Sequence, residues 1–394
     1  MTSQDSRRSE PGESRTFELP TGRLEIEVDH AHLPFDYLLG VASRQNRKRG
    51  FLFRSNVLGK HLAARPVTIR DIHARLAKLM PDMEGPVLFI GMAETAILLG
   101  HGVFDEWVKT TGRTDAMFIH TTRYNTGRPT VLTFKEDHSH AAEHLIYQPK
   151  DVAAYQLMRN ARTIVLIDDE ASTGATFHNL LEEIKHVLPN IRQAVTVVIT
   201  DWRGVLRGHS NNEKMPIPTV PIALLNGQYS FEPAPDLQSV SSPNAVGNGR
   251  NKSLFLRTNF GREGLMAGDI CVPVTGQWQA LAREIGFGLE KRNRVLVLGT
   301  GEFAYPPFLL AEFLESRGVD VFYQSTTRSP IMAGSAIEHK LIFMDNYEDG
   351  INNYLYNAKR DDYEHVFVCI ETPACTLDEV LLEELKATTV RFAG

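Results

Sequence analysis

At 394 residues the chain is longer than one ordinary hydrophobic core organises, so two domains are expected. Its 42% apolar and 23% charged residues are those of a soluble globular protein, and a net charge of -6 speaks against broad, nonspecific binding of nucleic acid. Three scattered cysteines (Cys271, Cys369, Cys375) read as reduced thiols, and neither a signal core nor a membrane-length apolar run is seen, so a cytoplasmic protein is expected.

Residues 1–15 are polar and read as a disordered tail. Residues 16–233 read as a first α/β domain, 234–252 as a linker rich in Pro, Ser, Asn and Gly, and 253–394 as a second α/β unit. Early in the first domain, Ala42 to Ser55 and the following Gly59-Lys60-His61 are basic and interleaved with aromatics. Arg44, Arg49, Ser55 and Lys60 are candidate donors to a substrate; a nucleic-acid patch and a plain solvated surface are the alternatives, and the acidity of the chain favours a substrate.

Helical spacing of Ile69, Ile72, Leu76 and Leu79 predicts a helix over Val67 to Leu79, with Pro81 beyond its end. Val87 to Ile90 is a short buried strand, followed by the loop Gly91-Met92-Ala93-Glu94-Thr95 and an apolar helix from Ala96 to Phe104. Ala116 to His120 is the next strand. The segment after it, Thr121 to Tyr147, carries Arg123, Arg128 and Lys135, and also Glu136, His138, His140, Glu143 and His144. The histidines suit a metal, or one of them (His140 above all) acid/base work on a substrate, or they do nothing in particular.

Thr163 to Ile167 is a β-branched apolar run that ends in the carboxylates Asp168 and Asp169. A small-residue loop (Glu170, Ala171, Ser172, Thr173, Gly174, Ala175, Thr176) follows, and then Phe177, Leu180, Leu181, Ile184, Val187 and Leu188 mark one face of a helix. Amides at a helix N-terminus can receive a phosphate, and the acid pair can accept bonds from vicinal hydroxyls or hold a hydrated Mg²⁺. Phosphate and diol side by side point to a ribose 5-phosphate site. Val195 to Thr200 is the strand after that helix, and the alternation of strands and helices implies a parallel sheet with ligands at its carboxyl edge.

The segment resembles the signature of type I phosphoribosyltransferases, with Asp168, Asp169, Thr173, Gly174 and Thr176 at matching positions. The resemblance implies an Mg²⁺-dependent enzyme that moves ribose 5-phosphate from phosphoribosyl pyrophosphate to a nitrogenous base or base-like acceptor. It implies that Gly91 to Thr95 receives the pyrophosphate, without the Arg-Gly-Gly sequence many relatives have there. It further implies that Arg44, Arg49, Ser55 and Lys60 form a hood over the base, that Arg123 or Lys135 closes over the site from a mobile loop, and that the protein is a homodimer; charge and hydropathy give no reason to expect a nucleic-acid or membrane partner. A sensor that binds phosphoribosyl pyrophosphate and catalyses little is the alternative.

In the second domain, Val295 to Leu298, Val319 to Gln324 and Val366 to Ile370 read as strands, with a helix over Phe308 to Ser316 capped by Gly318. If parallel, they bring Glu302, Arg328, Ser329 and Glu371 to one edge, where a polar ligand could sit. The Gly299-x-Gly301-x-x-Ala304 match to a dinucleotide fingerprint is weak, because Pro306 and Pro307 interrupt the loop and Asp320 lies at the start of the next strand rather than its end. Thr327-Arg328-Ser329-Pro330 resembles the TRSP domain that accompanies a bacterial phosphoribosyltransferase group linked to tellurium-resistance and stress gene clusters. The expected architecture is thus α/β: a phosphoribosyltransferase-type parallel sheet with a hood, and a C-terminal Rossmann-like domain.

Overall fold

The computed structural model describes residues 12–44, 46, 49–134, 144–204, 215–235, 252, 256, 259–269, 283, 285, 289, 290, 292–334 and 336–392. The apolar run Thr163–Ile167 is buried along its whole length because it lies mid-sheet, between Val87–Gly91 and Gln193–Asp201. Helices cover such strands on both faces, which is why they read as continuous apolar runs. The sheet runs in the order Glu13–Leu19, Gly22–Ala31, Thr219–Pro233, Gln193–Asp201, Thr163–Ile167, Val87–Gly91, Ala116–His120, Leu265–Met266. Its centre, from Thr219–Pro233 to Ala116–His120, is parallel, and the outer pairings are antiparallel.

Some elements differ from the sequence expectation for simple reasons. The helix expected to end at Phe104 continues as Ile97–Thr111, because Trp107 extends its buried face and Gly112 supplies the left-handed terminus. The strand Glu13–Leu19 begins within the segment read as a tail. Gly22–Ala31 was not foreseen, although Leu24, Ile26 and Val28 are buried and alternate with exposed Glu25 and Glu27, the period of a half-buried strand. Leu265–Met266, beyond the expected linker, joins the far edge of the first sheet.

A second sheet, Asp320–Ser325, Arg294–Gly299, His365–Ile370, Thr388–Arg391, is parallel throughout. Pro306 and Pro307 sit in the first turn of the helix Tyr305–Ser316, where no amide donor is needed, and Gly318 (φ 88°) follows its end. The chain leaves Arg294–Gly299 to one side and returns for His365–Ile370 on the other. The strand order therefore reverses at the carboxyl ends of these two strands, at Thr300 and Glu371.

The carboxyl ends of the two sheets meet. Glu302 accepts bonds from the Thr122 hydroxyl (2.6 Å) and the Arg123 amide (2.8 Å) across the boundary. The stretch Gly59 to Ala64 lies along the edge of Asp320–Ser325, with Ala64 and Tyr323 exchanging amide bonds and the Ser325 amide donating to Gly59 O (2.8 Å). One apolar core joins Ile69 and Phe104 to Phe308 and Tyr323. Between the sheets, buried Arg262 donates to both oxygens of Glu371 (2.9 and 2.7 Å) and to Glu302 (3.1 Å). Burial presses the Glu302 carboxyl towards its neutral form, but the charge of Arg262, together with His120 and the bonds from Arg123 and Thr122, outweighs it, so its pKa lies below the ordinary glutamate value.

Arg262→Leu leaves two buried carboxylates without their cation and should cost about 3–5 kcal/mol in urea unfolding at neutral pH. Because the folded pKa of Glu302 is depressed, its stabilisation is present above the ordinary glutamate range and is lost as pH falls through the folded value. The gap between wild type and variant should therefore shrink on acidification; a gap independent of pH would contradict this account.

Candidate active site

The strand Thr163–Ile167 delivers Asp168 and Asp169 to the carboxyl edge of the first sheet. Asp168 is fixed there by its amide, which donates to Val197 O (3.0 Å), and its Oδ1 accepts the Asp169 amide (2.9 Å). Glu170–Ala171 then pairs with Thr200 and Asp201, which turns the loop back over the sheet. Gly174 adopts φ 77°, and the helix Ala175–Val187 starts from it without a side-chain cap. The backbone conformation at Gly174 favours glycine, and a Cβ there would stand a tight 3.0 Å from Cδ of Arg203. Among the described residues no hydrogen bond engages the amides of Thr173, Gly174 and Thr176. They form a cradle of the kind that receives a phosphate at a helix N-terminus.

Burial raises the pKa of Asp169, against the bond with Asp168 and the positive charges of Arg49 and Lys60. The same cause raises that of Glu170, against the ion pair it makes with Arg49. Arg49 comes from the hood, a hairpin of Leu39–Ser43 and Phe51–Ser55. Phe53 of the hairpin stacks on Trp202 (4.4 Å between ring centroids), and Phe51 meets Tyr229 edge-on (5.0 Å), so the hood packs onto the sheet edge by aromatic contact. Arg44 lies beside the pair, its pKa lowered by burial and by the like charge of Arg49. Lys60, also buried, places Nζ 2.8 Å from Glu94. Ser55 is turned inward, its hydroxyl accepting the Val57 amide (3.3 Å).

In the loop after Val87–Gly91, the Met92 amide donates to Ile167 O (2.9 Å) and the Ala93 amide to Thr121 Oγ1 (2.8 Å). Thr121 Oγ1 also lies 2.9 Å from His144 Nδ1, and His144 Nε2 lies 3.2 Å from an Arg123 guanidinium nitrogen. A guanidinium only donates, so Nε2 is the acceptor and Nδ1–H donates to Thr121. Gly91 to Thr95, Thr121, His144 and Arg123 thus form one hydrogen-bonded assembly. Arg128 is held by Glu263 (3.0 Å). Lys135, Glu136, His138, His140 and Glu143 lie outside the described residues.

Among the described residues no cluster of three His, Cys, Asp or Glu could cage a metal. The Asp168–Asp169 pair, with Asp169 burdened by burial, has the chemistry of a site where Mg²⁺ keeps most of its waters and shares substrate oxygens.

At the second-domain edge, Glu302 and Glu371 are both engaged by Arg262, and Tyr347 donates to Glu371 (2.7 Å). Ser329 belongs to a turn, its amide donating to Thr327 Oγ1 (3.2 Å). Arg328 leaves that edge and lies 4.7 Å over the ring of Tyr124, a residue of the first domain that stacks on Tyr347. The sequence reading did not single out Thr121, Thr122, Tyr124, Arg262 or Tyr347. The buried Asp201–Arg203 pair, with bonds of 2.9 and 2.5 Å, was also missed, although a charged pair directly after an apolar strand is the pattern that flagged Asp168.

No curated protein matches the chain. Among solved structures it is similar to adenine phosphoribosyltransferase from Trypanosoma brucei (14% identity, TM-score 0.32, covering 47% of this chain and 76% of that one). It is similar also to the enzyme of that name from Leishmania tarentolae (14%, 0.33, 54% and 89%) and to a hypoxanthine phosphoribosyltransferase from Staphylococcus aureus (16%, 0.26, 43% and 79%). Residues 38–228 match the family described as "Phosphoribosyl transferase", and residues 261–385 match "TRSP domain C terminus to PRTase_2". With those two regions taking in most of its length, the chain belongs to the phosphoribosyltransferases that carry a C-terminal TRSP domain.

Proposed function

We propose that the protein transfers ribose 5-phosphate from phosphoribosyl pyrophosphate to a nitrogenous base, with release of pyrophosphate. The observation that carries this reading is the cradle of unengaged amides at Thr173, Gly174 and Thr176 directly beside the carboxylates Asp168 and Asp169. The cradle receives the 5-phosphate. Asp168 and Asp169 accept the hydroxyls of the ribose and stabilise the positive charge that develops on the ring as the bond from C1 to pyrophosphate oxygen breaks. The base nitrogen forms the new bond at C1 from the opposite face. No covalent enzyme intermediate is needed.

Hydrated magnesium, held by Asp168 and Asp169, would supply charge neutralisation for the departing pyrophosphate. Arg123, oriented by His144, places a cation at the loop that receives pyrophosphate. The hood, with Arg44 and Arg49 at its tip and Phe51 and Phe53 beneath, covers the side where the base enters. The product on this reading is a nucleotide-like compound, in the stress-linked setting that the resemblance implies. A cytoplasmic homodimer is part of the same proposal.

Purified protein with magnesium, phosphoribosyl pyrophosphate and a panel of purine, pyrimidine and carboxylated bases should release pyrophosphate with at least one of them. If no base gives release and labelled pyrophosphate does not exchange into phosphoribosyl pyrophosphate, the transferase reading fails. Asp169→Asn should lower kcat/KM by about 100-fold or more. Because burial raises the Asp169 pKa, its charge is a burden on the fold that is absent at low pH and complete above the folded value, so Asp169→Asn should melt at a higher temperature than wild type at neutral pH. Gly174→Ala forces a β-carbon into left-handed backbone at a cost of about 1–2 kcal/mol and should weaken ribose 5-phosphate binding in a protein that still folds.

A further inference from the structure

The first domain's pyrophosphate loop, Gly91 to Thr95, has no cation of its own. It has an anion instead, Glu94, whose side chain is only 8% exposed and is approached by two cations. Lys60 Nζ lies 2.8 Å from Glu94 Oε1, and Arg328 Nε lies 3.8 Å from Oε2. The second domain positions both. The backbone carbonyl of Lys60 accepts a bond from Gln324 (3.1 Å), and that of neighbouring Gly59 accepts from Ser325 (2.8 Å).

Arg328 stands in the Thr327-Arg328-Ser329-Pro330 turn, whose other members serve the turn itself. Thr327 exchanges backbone bonds with Tyr354, and the Thr327 hydroxyl takes the Ser329 amide; Ser329 O accepts the Tyr356 hydroxyl (2.7 Å). Arg328 alone reaches out of the domain. Its side chain is 9% exposed, it faces Tyr124, and among the described residues its Nε and one terminal nitrogen have no hydrogen-bond acceptor. Asp349, its other neighbour at 3.4 Å, is held more closely by Lys252 at 2.9 Å. A guanidinium buried with idle donors is costly unless a ligand brings acceptors, and its planar fork matches phosphate oxygens.

From this geometry we infer that Arg328 of the C-terminal domain, with Lys60, binds the pyrophosphate group at the first domain's loop, and that the Glu94 carboxylate holds both cations in place until pyrophosphate displaces it. The inference rests on the phosphoribosyl pyrophosphate reading above. It assigns the second domain a part in the transferase site: beside Arg123 and Lys60 of the first domain, it brings a further cation to Gly91 to Thr95, a loop with none in its own sequence. Glu94 offsets part of the positive charge of Lys60 and Arg328 in the free protein and competes with the incoming anion.

The test is calorimetric titration of the full chain, with magnesium, using inorganic pyrophosphate, phosphoribosyl pyrophosphate and ribose 5-phosphate as separate probes. Arg328→Met should weaken pyrophosphate and phosphoribosyl pyrophosphate by about 30-fold and leave ribose 5-phosphate within about twofold, as expected for loss of a charge-assisted fork. Glu94→Gln should tighten pyrophosphate severalfold, a gain that a merely structural ion pair would not give. Unchanged pyrophosphate affinity in Arg328→Met, or equal loss of ribose 5-phosphate, overturns the inference. Should Arg328→Met fail to fold, Glu94→Gln decides alone: weaker or unchanged pyrophosphate binding overturns it. Wild type that binds ribose 5-phosphate but not pyrophosphate defeats the inference only, whereas wild type that binds none of the three defeats the parent reading too.

Discussion

Buried charge has to be paired, and in this protein the pairs are what join the two sheets. Arg262 sits 4% exposed between Glu302 and Glu371, so neither carboxylate can lose it without being stranded away from water. Glu302 in turn receives Thr122 and Arg123 from the first domain, and Tyr124 stacks on Tyr347 of the second. The loop after Ala116–His120 hangs from this junction. Arg123 is held by Glu302 through its backbone and by His144 through its side chain, and His144 reaches through Thr121 to the amide of Ala93.

Opposed carboxyl edges explain why the site can be assembled from so many segments. A parallel sheet collects its loops at one edge, and two such edges face to face double the number of loops that reach one volume. The first sheet contributes the unengaged amides of Thr173, Gly174 and Thr176, the acid pair and the Gly91 to Thr95 loop. The second contributes a fixed surface of charge and aromatic rings. The Gly59 to Ala64 stretch, paired along the edge of Asp320–Ser325, ties the hood segment to that surface.

Much of this was legible in the sequence, and the limits of legibility are physical. Thr163 to Thr176 could be read because strand, acids, small loop and helix follow one another within a single local unit. The central strands could be read because burial on both faces makes them uniformly apolar. What was not legible depends on contacts between distant segments. Glu302 and Glu371 were expected at one edge and are there, but the cation between them, Arg262, lies in a stretch with no local pattern. Arg328 was placed at a second-domain edge by strand order alone; that its side chain crosses to Tyr124 and Glu94 follows only from how the sheets meet. The strands Gly22–Ala31 and Thr219–Pro233 were readable from alternation in part, yet their pairing joins segments nearly two hundred residues apart.

The central claim is that the acidic loop is a binding site for phosphoribosyl pyrophosphate. Calorimetric titration of the magnesium complex of phosphoribosyl pyrophosphate into wild type and Asp169→Asn tests it most directly. The account predicts saturable binding at one site per chain, displaced by an excess of inorganic pyrophosphate and much weaker in the variant. Saturable binding of equal strength in Asp169→Asn, or no binding to folded wild type with or without candidate bases, would contradict it.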